Sequence, residues 1–206
     1  RFFDEAGPYA RIIRAFQHYD TDDLEYMNVP GFVIVDSIYR MNYPLGGYAP
    51  KLPLPKWVSK ADTLAELAEQ LGIDPAGLEQ TVESFNRHAE QGEDPEWHRG
   101  ASAFDLQTAG DDSRGLVNPC LGPVIEPPFY GAAMWPSVLG TKGGLRINGN
   151  GQVRNVWGDS IAGLYATGNC TGSIMGAGYP GGGSTIASGM TVSYIAANHM
   201  LDNGSA

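Results

Sequence analysis

Apolar residues between 61 and 91 recur at helical spacing. Leu64, Leu67, Ala68 and Leu71 fall at i, i+3, i+4 and i+7, which predicts a helix with Asp62 as its N-cap and Gly72 in its C-terminal turn. Asp74-Pro75 restarts the chain as a second helix, Asp as cap and Pro at the first helical position. Leu78, Val82, Phe85 and Ala89 form the stripe this second helix buries, and Gly92 ends it. Before this hairpin, Phe32-Val33-Ile34-Val35-Asp36 reads as a short buried strand. Tyr43 to Pro55 holds four prolines and two glycines and reads as an irregular loop.

The pattern changes after residue 130. Sixteen of the 28 glycines lie between 131 and 189, so this stretch relies on close backbone approach more than on bulky packing. Leu145-Arg146-Ile147-Asn148 and Gln152-Val153-Arg154-Asn155-Val156 alternate around Gly149-Asn150-Gly151, a hairpin signal. Ile161 to Thr167 reads as a buried strand. Ser184 to about His199 reads as a helix with Ile186, Met190, Val192, Ile195 and Ala196 turned inward.

Composition narrows the options. The chain has 206 residues, 42% hydrophobic and 17% charged, enough for one sizeable core or two small ones. No apolar run reaches the roughly 18 residues that a membrane span needs. The net charge is −10, concentrated between Asp62 and Asp112, where 13 acidic residues face 2 basic ones. Such a surface repels phosphate backbones, which argues against nucleic-acid partners. Cys120 and Cys170 have no metal spacing and read as reduced thiols of a cytoplasmic protein. The four histidines show no metal spacing either. Arg1-Phe2-Phe3-Asp4-Glu5 lacks the apolar core of a signal peptide and an initiating Met, so the chain reads as a fragment, a processed product or one half of a split enzyme.

The candidate chemistry lies between the last strand and the last helix. Gly172, Gly176, Gly178, Gly181, Gly182 and Gly183 lead into Ser184 and Thr185 at the helix start. First-turn amides have no partner within their helix and carry the positive end of its dipole. A reduced flavin bears negative charge on its pyrimidine side, and such amides would stabilise it. Tyr179 sits within the run, between Gly178 and Pro180. Its phenol can donate to a ketone oxygen and stabilise the enolate formed when an α-proton leaves, with the Gly183 amide as a second donor. The alternatives are a packed aromatic in a flexible connecting loop.

At these residues the chain resembles a known family. Ala162-Gly163-Leu164-Tyr165-Ala166-Thr167-Gly168-Asn169 is similar to a C-terminal pattern of the fumarate reductase and 3-ketosteroid dehydrogenase flavoproteins. Tyr179-Pro180-Gly181-Gly182-Gly183 resembles the substrate loop of the 3-ketosteroid 1-dehydrogenase branch. Pro127-Pro128-Phe129-Tyr130, Gly140-Thr141-Lys142-Gly143-Gly144-Leu145 and Arg1-Phe2-Phe3-Asp4-Glu5 with Tyr9 also fit. The resemblance implies an α+β / α/β fold. Residues 1–140 would be a substrate-capping catalytic domain, incomplete at its N-terminus. Residues 141–206 would be the C-terminal returning segment of a Rossmann-like FAD-binding domain. No strand–turn–helix dinucleotide fingerprint for the ADP half of FAD is visible, so the resemblance places that half upstream, as a second chain or a missing segment.

The implied roles follow residue by residue. Tyr179 and the Gly183 amide hold the C3 carbonyl of a 3-ketosteroid, and Tyr9 takes the C2 proton. FAD is the cofactor, contacted by Gly168, Asn169, Gly183, Ser184, Thr185 and Ile186. Tyr39, Tyr43, Tyr48, Trp57, Phe129, Tyr130 and Trp135 are candidates to line an apolar substrate cleft. A free phenol has a pKa near 10, so Tyr9 acting as base near neutrality needs help from neighbouring groups. Two other readings compete. One is a fumarate-reductase-like enzyme reducing an activated alkene; the other is a capping domain that serves only in binding or assembly.

Overall fold

The acidic stretch folds into the expected helical hairpin, with one change at its start. The computed structural model describes residues 1–7, 9–176 and 178–203, and of Tyr9 and Ala10 only the backbone. The chain divides into two compact units, Arg1–Pro136 and Ser137–Ala206.

Unit 1 begins with helix α1 (Tyr9–Phe16), the short hairpin β1 (Tyr19–Asp20) and β2 (Glu25–Tyr26), then β3 (Gly31–Val35) and α2 (Ser37–Asn42). β4 (Ser59–Ala61) precedes α3 (Leu64–Leu71) and α4 (Pro75–Gln91), followed by α5 (Ala103–Ala109) and β5 (Phe129–Met134). Strands β3, β5 and β4 form an antiparallel sheet in that order, with Val33 opposite Ala132 and Lys60 opposite Tyr130. Helix α3 lies on this sheet. A Cβ at Gly131 would stand 2.7 Å from Leu71 Cδ1, so glycine at that point lets helix and strand meet. Leu67 and Ala68 are fully buried there, and Leu78 and Val82 of α4 pack behind them.

The cap of α3 is Thr63 and not Asp62: the Thr63 hydroxyl accepts from the Glu66 amide at 3.2 Å. Both residues are good caps, and the backbone turns helical one residue later than the pattern suggested. Gly72 and Gly92 end their helices in the left-handed conformation, and Asp74 caps α4 as expected. The expected strand 32–36 runs over Gly31–Val35, while Asp36 becomes the cap of α2. Its buried carboxylate accepts from the amides of Tyr39, Ile125 and Glu126 at 2.8, 3.1 and 3.2 Å.

Unit 2 contains β6 (Gln152–Arg154), β7 (Ser160–Tyr165) and α6 (Ser184–Asn203). The turn at 149–151 forms, with Gly151 N donating to Asn148 O at 3.0 Å and Ile147 bridging Val153. The ladder is shorter than expected, because Asn155 leaves it to close a second turn with Trp157 and Asp159. Two expectations fail here. β7 is exposed along Ser160–Leu164, since its one strand partner is β6 and it takes no cover from other described elements of its unit. On α6, Ile186 and Met190 are 67% and 68% exposed, Ile195 is also exposed and Val192 is half-buried. The covered side is instead Thr185, Ser188, Gly189, Val192, Ala196 and His199. Small and polar residues face inward because the helix rests against a glycine, with a Cβ on Gly189 only 3.5 Å from Gly168 Cα.

Candidate functional site

In unit 2 the end of β7, a glycine-rich loop and the start of α6 follow one another. Gly168 and Asn169 lie in a 3-10 turn, Gly168–Cys170, directly after the strand. Thr167 Oγ1 donates to Gly189 O at 2.7 Å, which ties this turn to the second turn of α6. Gly168 adopts φ +69°, and its carbonyl accepts from the Thr171 amide and hydroxyl. Asn169 has an exposed side chain, and its carbonyl accepts from Gly143 N at 3.1 Å. A Cβ at Gly144 would stand 2.1 Å from Cys170 O, so loop 143–145 presses directly onto the turn.

The α6 N-terminus opens from a glycine cradle. Gly181 and Gly183 have φ +143° and +87°, and a Cβ at Gly181, Gly182 or Gly183 would meet nothing within 4 Å. Ser184 donates through Oγ to Gly181 O at 2.8 Å, and Ala187 N donates to Gly183 O at 2.8 Å. The helix is 20 residues long, so its dipole is fully developed where the Ser184, Thr185 and Ile186 backbone begins. Ile186 presents an exposed apolar side chain beside these amides. Tyr179 is half-buried in the loop ahead of them. One contact escaped the sequence reading: Lys142 Nζ donates to the Gly178 carbonyl, one residue before Tyr179. Sequence spacing gives no sign of it, because 36 residues separate the partners.

These features suit the ring end of a flavin. An open strip of glycines admits a planar group, and first-turn amides face an anionic edge without a cation. Gly168, Asn169, Gly183, Ser184, Thr185 and Ile186 are the residues that would hold it.

Unit 1 carries a cavity of about 520 Å³, lined by Phe2, Phe3, Glu5, Tyr39, Tyr43 and Phe85 among others. Ala6 and Ile12, which bracket Tyr9 in sequence, also line it. Tyr9 opens α1, but its side chain lies outside the described residues. Of the seven aromatics expected to line a cleft, Tyr39 and Tyr43 reach this cavity. Phe129 and Tyr130 pack in the core, whereas Tyr48, Trp57 and Trp135 are exposed.

The cavity's polar groups are perturbed. Burial, then the nearby Glu5 charge, raises the Tyr39 phenol. Burial, then a hydrogen bond to Asp111, raises that of Tyr43. Burial also raises the Cys120 thiol. Glu5 borders the cavity with 60% of its side chain exposed. Desolvation raises its carboxyl, against the opposing pull of Arg99. Among the described residues no group of His, Cys, Asp and Glu could hold a metal, and no helix is long and apolar enough to cross a membrane.

Three comparisons bear on this arrangement. The family described as FAD binding domain matches residues 1–186. A 3-oxosteroid 1-dehydrogenase of Mycobacterium tuberculosis is 44% identical over 181 residues, 85% of this chain and 32% of the relative. A 4-oxocyclohexanecarboxylate 2-dehydrogenase of Sinomonas cyclohexanicum is 38% identical over 95% of this chain and 34% of its own length. Among solved structures, the 3-ketosteroid delta1-dehydrogenase of Sterolibacterium denitrificans, in complex with 1,4-androstadiene-3,17-dione, matches with a TM-score of 0.86 at 37% identity. That match covers 97% of this chain and 36% of the solved one. The chain thus spans about a third of the proteins it matches.

Proposed function

The chain belongs to the FAD-binding-domain family, with a mixed α/β fold and FAD as its cofactor, and from that premise we propose that it forms the flavin-ring and ketone end of a 3-ketosteroid 1-dehydrogenase. Residues 1–140 act as the substrate-capping catalytic domain, and 141–206 as the returning segment of the FAD-binding domain. The N-terminal half, which holds the ADP part of FAD, is the partner, in the same polypeptide or as a second chain. The substrate is an apolar cyclic ketone such as a 3-ketosteroid, and the compartment is the cytoplasm.

The observation that carries this reading is the glycine cradle leading into the α6 amides beside Tyr179. The Tyr179 phenol and the Gly183 amide donate to the C3 oxygen and stabilise the enolate that develops there. Tyr9 takes the C2 proton. A bound flavin would supply the two-electron acceptor for the C1 hydride, whose loss with the C2 proton leaves a 1,2 double bond. Asn169 and the first turn of α6 orient the ring, and the cradle excludes side chains from its face.

A carboxylate substrate, as in fumarate reduction, calls for free cations. Arg11, the cation closest to Tyr9 in sequence, is engaged by Asp4, which favours the neutral ketone. In the complete enzyme, Tyr179→Phe is expected to cut steroid 1,2-desaturation by about 100-fold or more, the loss typical of a removed oxyanion donor, with the flavin spectrum unchanged. Unchanged turnover overturns the assignment. A complete protein that stays colourless after purification points instead to a non-catalytic capping subunit.

A further inference from the structure

Tyr179 stands between the most permissive residue and the most restrictive one. Pro180 confines the backbone of the residue before it to extended conformations, while Gly178 leaves the chain ahead of it almost unrestricted. The direction of the phenol therefore depends on the peptide plane that joins Gly178 to Tyr179. The Gly178 carbonyl and the Tyr179 nitrogen and Cα lie in that one plane. Whatever holds the carbonyl oxygen orients the atom from which the tyrosine side chain starts, and Lys142 Nζ donates to that oxygen.

Lys142 is held in its turn, within the same unit. Gly143 N donates to Asn169 O at 3.1 Å, Leu145 N donates to Cys170 O at 3.0 Å, and Gly172 N donates back to Leu145 O at 2.9 Å. Leu145 also bridges Thr171 in parallel. One short segment thus grips the turn of Gly168 and Asn169 through its backbone, and the loop of Tyr179 through a side chain. The bonds from Gly176 N to Ser173 O, Gly178 N to Met175 O and Ser184 N to Gly181 O, at 3.2, 3.1 and 3.3 Å, are local and close turns within the loop. Among the described residues no carboxylate forms an ion pair with Lys142, so its donors are not drawn elsewhere. A donor that carries full charge makes the stronger kind of hydrogen bond to a carbonyl.

We infer that Lys142 is a positioning residue for Tyr179, setting the direction of the phenol relative to the turn of Gly168 and Asn169. The inference rests on Tyr179 being a donor to the ketone oxygen. Displacement of a group at the reacting centre by about 1 Å costs on the order of 100-fold in rate, so a released peptide plane shows in turnover.

The test uses the complete enzyme with a 3-ketosteroid, comparing Lys142→Met, Lys142→Arg, Tyr179→Phe and the double variant Lys142→Met/Tyr179→Phe. Lys142→Met keeps the length of the side chain without its donor and is expected to lower kcat by about 10- to 100-fold, with the flavin spectrum unchanged. Lys142→Arg, which keeps a charged donor, should recover most of that loss. In the Tyr179→Phe background, Lys142→Met should cost less than about twofold more, because its effect passes through the phenol that is already gone. Binding supplies a readout without turnover. A steroid with a phenolic A-ring presents an oxygen where the enolate oxygen would stand, and Lys142→Met should weaken its binding by about 10-fold, the worth of one well-made hydrogen bond. If Lys142→Met does not fold, Lys142→Gln decides on the same readouts. Normal kcat in Lys142→Met, or an equal loss with and without the Tyr179 hydroxyl, overturns the inference while a disabled Tyr179→Phe leaves the function standing. Loss of flavin from Lys142→Met places its role at the cofactor turn and also overturns the inference. Unchanged turnover in Tyr179→Phe overturns the oxyanion assignment and the inference with it.

Discussion

The two units hold themselves together by different means. Unit 1 encloses Leu67, Ala68, Val82, Leu121 and Ala132 around a sheet and a helical hairpin. In unit 2, Val153 and Ala196 are the buried hydrophobic residues among those described, while Ile161, Leu164, Ile186, Met190, Tyr194 and Leu201 are exposed. Its contacts are glycine against backbone: Gly144 on Cys170, Gly168 on Gly189. A unit with its own apolar core carries its own stability. A unit whose helix and strand leave their apolar sides uncovered, and whose loops lie open at a helix N-terminus, is suited to receive other surfaces and a cofactor.

The widest separation between the units should appear on truncating one apolar side chain in each. Leu67→Ala removes a fully buried side chain and is expected to cost about 4 kcal/mol of unfolding free energy. Met190→Ala in this same chain should cost roughly 0.5 kcal/mol or less, since the residue is already exposed. Urea unfolding of both variants checks this. Similar costs would break the contrast, because α6 would then have a buried apolar face of its own.

Within unit 1 the polar half of the core can be probed at Asp36. Asp36→Ala leaves the amides of Tyr39, Ile125 and Glu126 without their acceptor. Buried donors left unmade make this a loss of about 3 kcal/mol. Asp36→Asn, which keeps an acceptor oxygen, should recover part of it. Equal losses in the two variants would mean that shape, rather than hydrogen bonding, is what the position supplies.

The same contrast explains what could be read along the chain. Unit 1 was legible because its signals are local: the i, i+3, i+4 spacing of Leu64, Leu67 and Ala68, the Asp74-Pro75 start and the glycines at both helix ends. The exposed faces of α6 and β7 were not, because apolar spacing reports what a residue is built to cover and not which chain supplies the cover. The glycine cradle stood out by composition alone, and its junction with α6 fell where the pattern put it. The contacts that organise each candidate site did not stand out. Arg99–Glu5 and Lys142–Gly178 join residues 94 and 36 positions apart, and no period encodes them.

Unit 2 offers the next smaller effect. Gly144→Ala places a Cβ against the Cys170 carbonyl at a φ of +153°, a conformation that strains any side chain. Such strain is expected to weaken the junction of loop 143–145 with the 168–170 turn by about 2 kcal/mol. Hydrogen exchange reads this locally. The amides of Leu145 and Gly172, bonded to Cys170 O and Leu145 O at 3.0 and 2.9 Å, should lose protection while those of β3 and β5 keep theirs. Loss of protection in both units together would show that they unfold as one.

The smallest expected effect lies at the start of α3, where two adjacent residues compete for one role. Thr63→Ala removes the hydroxyl that accepts from Glu66 N and should cost about 1 kcal/mol. Asp62→Ala should change stability by roughly 0.3 kcal/mol or less, because Asp62 stands one residue outside the cap. The effect has to be read in the unit 1 transition, since α3 packs on the sheet of that unit. A larger loss at Asp62 than at Thr63 would move the helix start back by one residue. The register of Leu67 and Ala68 against the sheet would then need revision with it.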